Sequence, residues 1–176
     1  MALINTTTTG VLGSTFFGDG AGDLTVQKDG VTVNKITAAP LFHATSGALT
    51  FANSTFTKIP FAGKVYDTNN NYDATTNYRF TPTVAGYYWI KVQFFLGSTG
   101  GRTVASIYKN GGDVCQTLVL SSNTNGGISV VSQGLIYFNG TSDYVEAYGY
   151  QESGGTAAMN INGGLTMFSG YMVRAA

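Results

Sequence analysis

The stretch Phe80–Val92, FTPTVAGYYWIKV, decides how this chain reads. Pro82 fixes one backbone angle and has no amide hydrogen, and Gly86 accepts conformations closed to other residues, so the two mark a corner. An extended run follows and reaches Phe95. Within it Tyr88, Ile90, Val92 and Phe94 fall on one face, and Trp89, Lys91 and Gln93 fall on the other with Tyr87. The first face is wholly apolar and suits a core. The second carries two large rings, which a strand lining one core does not require.

Working outward, turn signals recur every ten or so residues after Pro40. Gly-Gly pairs stand at 100–101, 111–112, 126–127, 154–155 and 163–164, and Asn110-Gly111 and Asn139-Gly140 add turns of their own. Between them the sequence predicts strands near 49–52, 56–66, 87–96, 103–109, 114–121, 128–138, 143–150, 157–161 and 165–174. No amphipathic helix and no internal repeat interrupts them. Short strands at this spacing indicate an all-β sandwich or jelly roll of about ten strands.

Residues 1–39 differ. They contain a threonine run, a glycine cluster, and then LTVQKDGVTVNKI, in which Asp29-Gly30 separates two alternating segments. That is a strong hairpin signal. A lone hairpin is marginally stable in water. This segment is therefore expected to be an anchoring arm whose Leu24, Val26, Val31 and Val33 lie on a partner. Residues 40–176 form the main domain.

Composition limits the function. The 176 residues include 43% hydrophobic and only 10% charged ones, with nine basic and nine acidic side chains cancelling. A nucleic-acid partner asks for a basic footprint, and none exists. No run approaches the ~20 apolar residues of a membrane helix, and the first twenty residues lack the pattern of a secretion signal. The chain is expected to be made in a cytoplasm and to join a static assembly, where few charges need desolvating. Cys115 is the only cysteine, so the fold rests on its core without an internal disulfide.

The motifs resemble the C1q/TNF-like jelly-roll family, the complement-type globular head. Those that carry the resemblance are Leu41-Phe42, Tyr72-Asp73, Phe80 with Gly86–Tyr88, Lys109-Asn110-Gly111, GLIYFNGTSDYVEAYGY at 134–150, and Phe168-Ser169-Gly170-Tyr171. The likeness spans roughly residues 41–175. It implies a domain that works as a homotrimer and binds rather than catalyses. The residues point the same way, because the strands at 87–95, 128–138 and 165–174 are apolar on both faces, which calls for a second buried surface. In 128–138, Gly134 is read as a bulge. Trp89, Tyr137, Phe168 and Met172 are the expected trimer contacts.

Provision for chemistry is poor. His43 is the only histidine and has no nucleophile elbow beside it; Cys115 sits in an apolar run and reads as a small core residue. No enzyme is expected, and no cofactor. Asp67, Asn69, Asn71 and Asp73 place oxygen donors at alternate positions, as a calcium loop does. However, Tyr72 and Tyr78 stand where such a loop has its glycine and closing glutamate. Tyr144, Tyr148 and Tyr150 alternate along a strand and offer a row on which a glycan could stack. The arm-plus-trimer layout resembles bacteriophage structural proteins. The expected role is thus a virion protein, a capsid decoration or cement protein whose arms bind the major capsid protein. A phage-fibre tip binding host-surface glycan and a secreted C1q-like ligand-binding module are the alternatives.

Overall fold

The computed structural model describes residues 14–18, 24–28, 31–36, 39–97, 100–122, 126–160 and 164–176. The chain divides into two compact units, Met1–Ala39 and Pro40–Ala176. In the first, only the backbone of three strands is described: β1 (Ser14–Gly18), β2 (Leu24–Lys28) and β3 (Val31–Ile36). They form an antiparallel sheet in the order β1-β2-β3. The strand β1 has no counterpart in the sequence reading. The Asp29-Gly30 turn and the side chains of Leu24, Val26, Val31 and Val33 lie outside what is described.

The second unit is all-β. Among its described residues thirteen strands form: β4 (Leu41–Thr45), β5 (Thr50–Phe51), β6 (Thr57–Lys58), β7 (Gly63–Asp67), β8 (Tyr72–Asp73), β9 (Arg79–Phe80), β10 (Gly86–Leu96), β11 (Gly101–Lys109), β12 (Gly112–Ser121), β13 (Ile128–Phe138), β14 (Val145–Gln151), β15 (Ala157–Asn160) and β16 (Met167–Ala175). They make two antiparallel sheets facing each other in a jelly-roll sandwich. In the first sheet β10 is central. All of one edge pairs with β13; the other pairs with β16 and then, at Phe95 and Leu96, with β15. Outside β16 come β4 and β7, and outside β15 comes β5. The second sheet runs β12-β11-β14-β9-β8, with β6 on another part of β14.

The strand that follows the corner ties back to it through a side chain. Tyr88 Oη donates to the Val84 carbonyl at 2.8 Å, and burial pushes this hydroxyl's pKa up to about 12. Beyond it Tyr88, Ile90, Val92, Phe94 and Leu96 are fully buried. Aromatic rings fill the space between the sheets near β4: Phe42 stacks on Phe80 at 4.2 Å and meets Phe168 edge-on at 5.0 Å. Gly170 makes that packing close. A Cβ there would stand 2.6 Å from Ile90 Cδ1 and 2.9 Å from the Phe42 ring. The hairpin joining β11 to β12 turns through Asn110 and Gly111, both with positive φ (53° and 83°), as a two-residue primed turn demands.

Three expectations need correction. The predicted strand 56–66 is two strands in different sheets, β6 on β14 and β7 on β4. Pro60, lacking an amide hydrogen, stands in the crossing between them. Gly134 is not a bulge, because β13 keeps unbroken register with β10 from Ile128 to Phe138. It is glycine because a Cβ would lie 2.4 Å from the Cys115 sulfur on β12. Finally β4, β8 and β9 have no counterpart among the predicted strands. Two of them are only two residues long, too short to show a period.

Candidate assembly surface

Strand parity divides the first sheet into a core face and an outer face. On the outer face Trp89 of β10 lies between Leu135 of β13 and Tyr171 of β16, and Leu41 of β4 follows Tyr171. The neighbouring row pairs Tyr87 with Tyr137, whose rings meet edge-on at 5.4 Å. Leu135, Tyr171 and Val173 are each more than half exposed (55%, 52% and 54%), and Tyr87 and Tyr137 nearly so. Few surfaces of a solitary sandwich expose so many large apolar side chains together.

Of the four expected contacts, Trp89 and Tyr137 lie on this face. Phe168 and Met172 do not. Phe168 is fully buried in the core against Phe42, Phe61 and Tyr72, and Met172 packs on the same core from β16. Both faces of β16 are apolar, so periodicity alone cannot orient the strand. The register does so by setting Phe168 opposite Val92 and Met172 opposite Tyr88. The outer positions are instead Met167, Ser169 and Tyr171; the register then shifts, leaving Val173 unpaired and exposed and Arg174 opposite Tyr87. Leu135 and Tyr171 thus belong to the surface, which only the pairing of β16 and β13 with β10 reveals.

The outer face of the second sheet is aromatic too, but its rings are already partnered. Tyr108 stacks on Tyr148 at 4.1 Å, and Phe56 packs on Tyr150 at 4.8 Å. Arg79 covers the Tyr144 ring and Arg102 the Tyr150 ring. Lys58 pairs with Glu146, Arg102 with Glu152, and Tyr150 Oη donates to Glu152. The tyrosine row read as a glycan platform therefore offers few open ring faces. Alongside it β12 exposes Val114, Leu118 and Leu120, an apolar row at the edge of this sheet.

The calcium-like loop is built as turns. Asp67 accepts from the Asn71 and Tyr72 amides at 3.0 and 2.8 Å and lies 3.6 Å from Lys64 Nζ. Asn69 Oδ1 accepts from Thr68 Oγ1, and Asn71 bridges to Thr83. Asp73 accepts from the amides of Thr76, Thr75 and Asn77 and from the Asn77 side chain, which together hold its carboxyl far below the usual range. Turn capping thus accounts for the alternation of oxygen donors. Among the described residues no group of three or more His, Cys, Asp or Glu is placed to hold a metal. An open cleft of about 560 Å³ lies beside this loop, lined by Lys64, Asn70, Asn71, Arg79, Thr81 and Thr83 among others.

His43 lies on the outer face of the first sheet and stacks on Tyr66 at 5.5 Å. Cys115, on β12, turns toward β13 with its sulfur 3.4 Å from the Gln133 carbonyl, and burial, then Asp113, raises its thiol pKa. A raised pKa disfavours the thiolate, the nucleophilic form.

Solved structures share this architecture. Crystal structures of murine APRIL match with TM-scores up to 0.60 at 10–11% identity, covering 77% of this chain and 99% of theirs. The globular domain of the zebrafish complement 1qA protein matches at 0.50 and 16% identity, covering 78% of this chain and 99% of its own. Eiger TNF from S. frugiperda matches at 0.54 and 13%, covering 78% and 93%. The fold is C1q/TNF-like. No protein-family model matches the sequence, and no curated protein does.

Proposed function

We propose that this chain is a non-enzymatic assembly protein whose 40–176 unit forms a homotrimer through the outer face of its first sheet. One observation carries the reading: Leu135, Tyr171, Tyr87 and Tyr137 form an exposed apolar surface around the half-buried Trp89, on a fold whose core is already complete without it. Aromatic centres of this kind are what subunit contacts bury. The 1–39 unit is the anchor. Its three short strands bind a larger structure, a virion shell in our reading, and three linked anchors hold by avidity. The 10% charge content suits close packing on such a shell. The chain acts in the virion after synthesis in a host cytoplasm.

Sedimentation of the purified protein tests the trimer. The expected result is a trimer at micromolar concentration that Leu135→Asp or Trp89→Asp converts to a folded monomer. A wild-type monomer refutes the reading. Deleting residues 1–39 should abolish loading onto the particle while leaving the trimer, and undiminished loading refutes the anchor. A second reading, a head that binds a polar ligand such as a glycan, is favoured by the cleft beside Arg79 and Lys64. Glycan-array binding lost in Arg79→Ala supports it.

A further inference from the structure

The apolar outer face of the first sheet is crossed by one polar row. Lys91 stands at the midpoint of β10, with Gln133 opposite it on β13, Ser169 opposite on β16, and His43 next on β4. The Leu135–Trp89–Tyr171 row lies on one side. On the other, Val131 and Met167 flank Gln93. Any contact that covers both groups covers Lys91 between them.

Among the described residues of its own chain Lys91 has no counter-charge. Among the described residues no carboxylate lies on this face. Asp67, the acid of the first sheet, has a side chain only 2% exposed and accepts from backbone amides, with Lys64 as its ionic neighbour. Glu146, Glu152 and Asp143 are paired with Lys58, Arg102 and Lys109, and Asp73 and Asp113 accept from their neighbours. The other titratable groups around the face are His43 and the tyrosines 66, 87, 137 and 171, with Lys64 and Arg174 at its margins. Gln133, Gln93 and Ser169 can share hydrogen bonds with an ammonium group but cannot neutralise it. An ammonium enclosed without neutralisation is strongly disfavoured.

We propose that the assembled protein encloses a small multivalent oxyanion, of the phosphate or sulfate class, held by Lys91 from each copy. This rests on the trimeric reading above. Closing three copies over this face brings three ammonium groups toward the shared axis, and a tetrahedral dianion offsets two of the three charges and supplies enough acceptor oxygens for all three. Side-chain amides of Gln93 and Gln133 add donors of matching sign.

The test uses the full chain in buffers of equal ionic strength, with sodium chloride replaced by sodium sulfate or inorganic phosphate. Association should be about tenfold tighter or more in either oxyanion than in chloride. Lys91→Met should stay trimeric and lose that difference, while Lys64→Met, at the sheet margin, should keep it. Titration of phosphate into the trimer by calorimetry should give one anion per three chains. A trimer indifferent to the anion overturns this inference alone, and so does a Lys91→Met variant that falls apart, since that reveals a protein carboxylate as the partner. A wild-type monomer in every buffer overturns the trimeric reading itself.

Discussion

The two outer faces of the sandwich are both rich in aromatic residues and use them in opposite ways. On the second sheet the rings are occupied by other rings and by arginines, and the acids beside them by lysine and arginine. Around those rings the face is complete in one copy, while its edge strand β12 leaves Val114, Leu118 and Leu120 exposed. On the first sheet Leu135, Tyr171 and Val173 stand open beside the half-buried Trp89, and the Lys64–Asp67 ion pair lies at the margin. The lesson concerns what marks an interface. Aromatic content alone does not distinguish the faces; the presence or absence of partners within the chain does.

The largest effect should come from contrasting the two sides of β16. Phe168→Ala removes a fully buried ring and should cost about 3–5 kcal/mol of unfolding free energy, read by chemical denaturation. Tyr171→Ala, three residues away on the outer side, should change the monomer's stability by less than about 1 kcal/mol. Its loss should appear in association instead. If the two substitutions destabilise the isolated fold equally, the division into a core face and an assembly face is wrong.

Next in size is the assembly face itself. Leu135→Ala and Trp89→Ala should each weaken association by about 2 kcal/mol or more, as central apolar and aromatic contacts do. Equivalent changes on the second sheet, such as Phe56→Ala, should leave the sedimentation profile unchanged. A dissociated Phe56→Ala would move the interface to the other face.

A smaller effect tests the claim that the second face is self-sufficient. Glu146→Gln leaves Lys58 without its carboxylate, and because Lys58 keeps 29% of its side-chain exposure, water moderates the loss. A cost of about 1–2 kcal/mol in unfolding is expected, with association untouched.

Much of this was legible in the sequence because it depended on local chemistry. The strand from Gly86, the Asn110-Gly111 hairpin and the strand at 128–138 each carry their signal within a few residues. The fold class followed from their spacing. What escaped depended on distant contacts. Phe168 and Met172 cannot be assigned to the core until Val92 and Tyr88 are known to lie opposite. Gly134 looks like an irregularity until Cys115 is placed against it. The loop at Asp67–Asp73 looks like a cation site because turn capping and calcium binding draw on the same oxygen donors. Only the amides they face tell the two apart.

The smallest effect concerns acid, and it separates the ion-paired face from the open one once more. The Lys109 hydrogen bond, followed by that of Asn110, holds the Asp143 carboxyl below its ordinary value in the folded chain. A carboxyl that the fold keeps more acidic than the unfolded chain does stabilises the fold in full above the unfolded value, near pH 3.9 for aspartate. That contribution disappears as pH falls through the folded value, where both states are protonated. Asp143→Asn should therefore unfold more easily than wild type at pH 7, and the gap between them should shrink steadily below about pH 4. Asp73, lowered by backbone amides rather than by a cation, should follow the same direction with less dependence on salt. A gap that stays constant from pH 7 down to pH 2 would show that Asn replaces the carboxylate's role by hydrogen bonding alone, and that the Lys109 charge adds nothing to the second sheet.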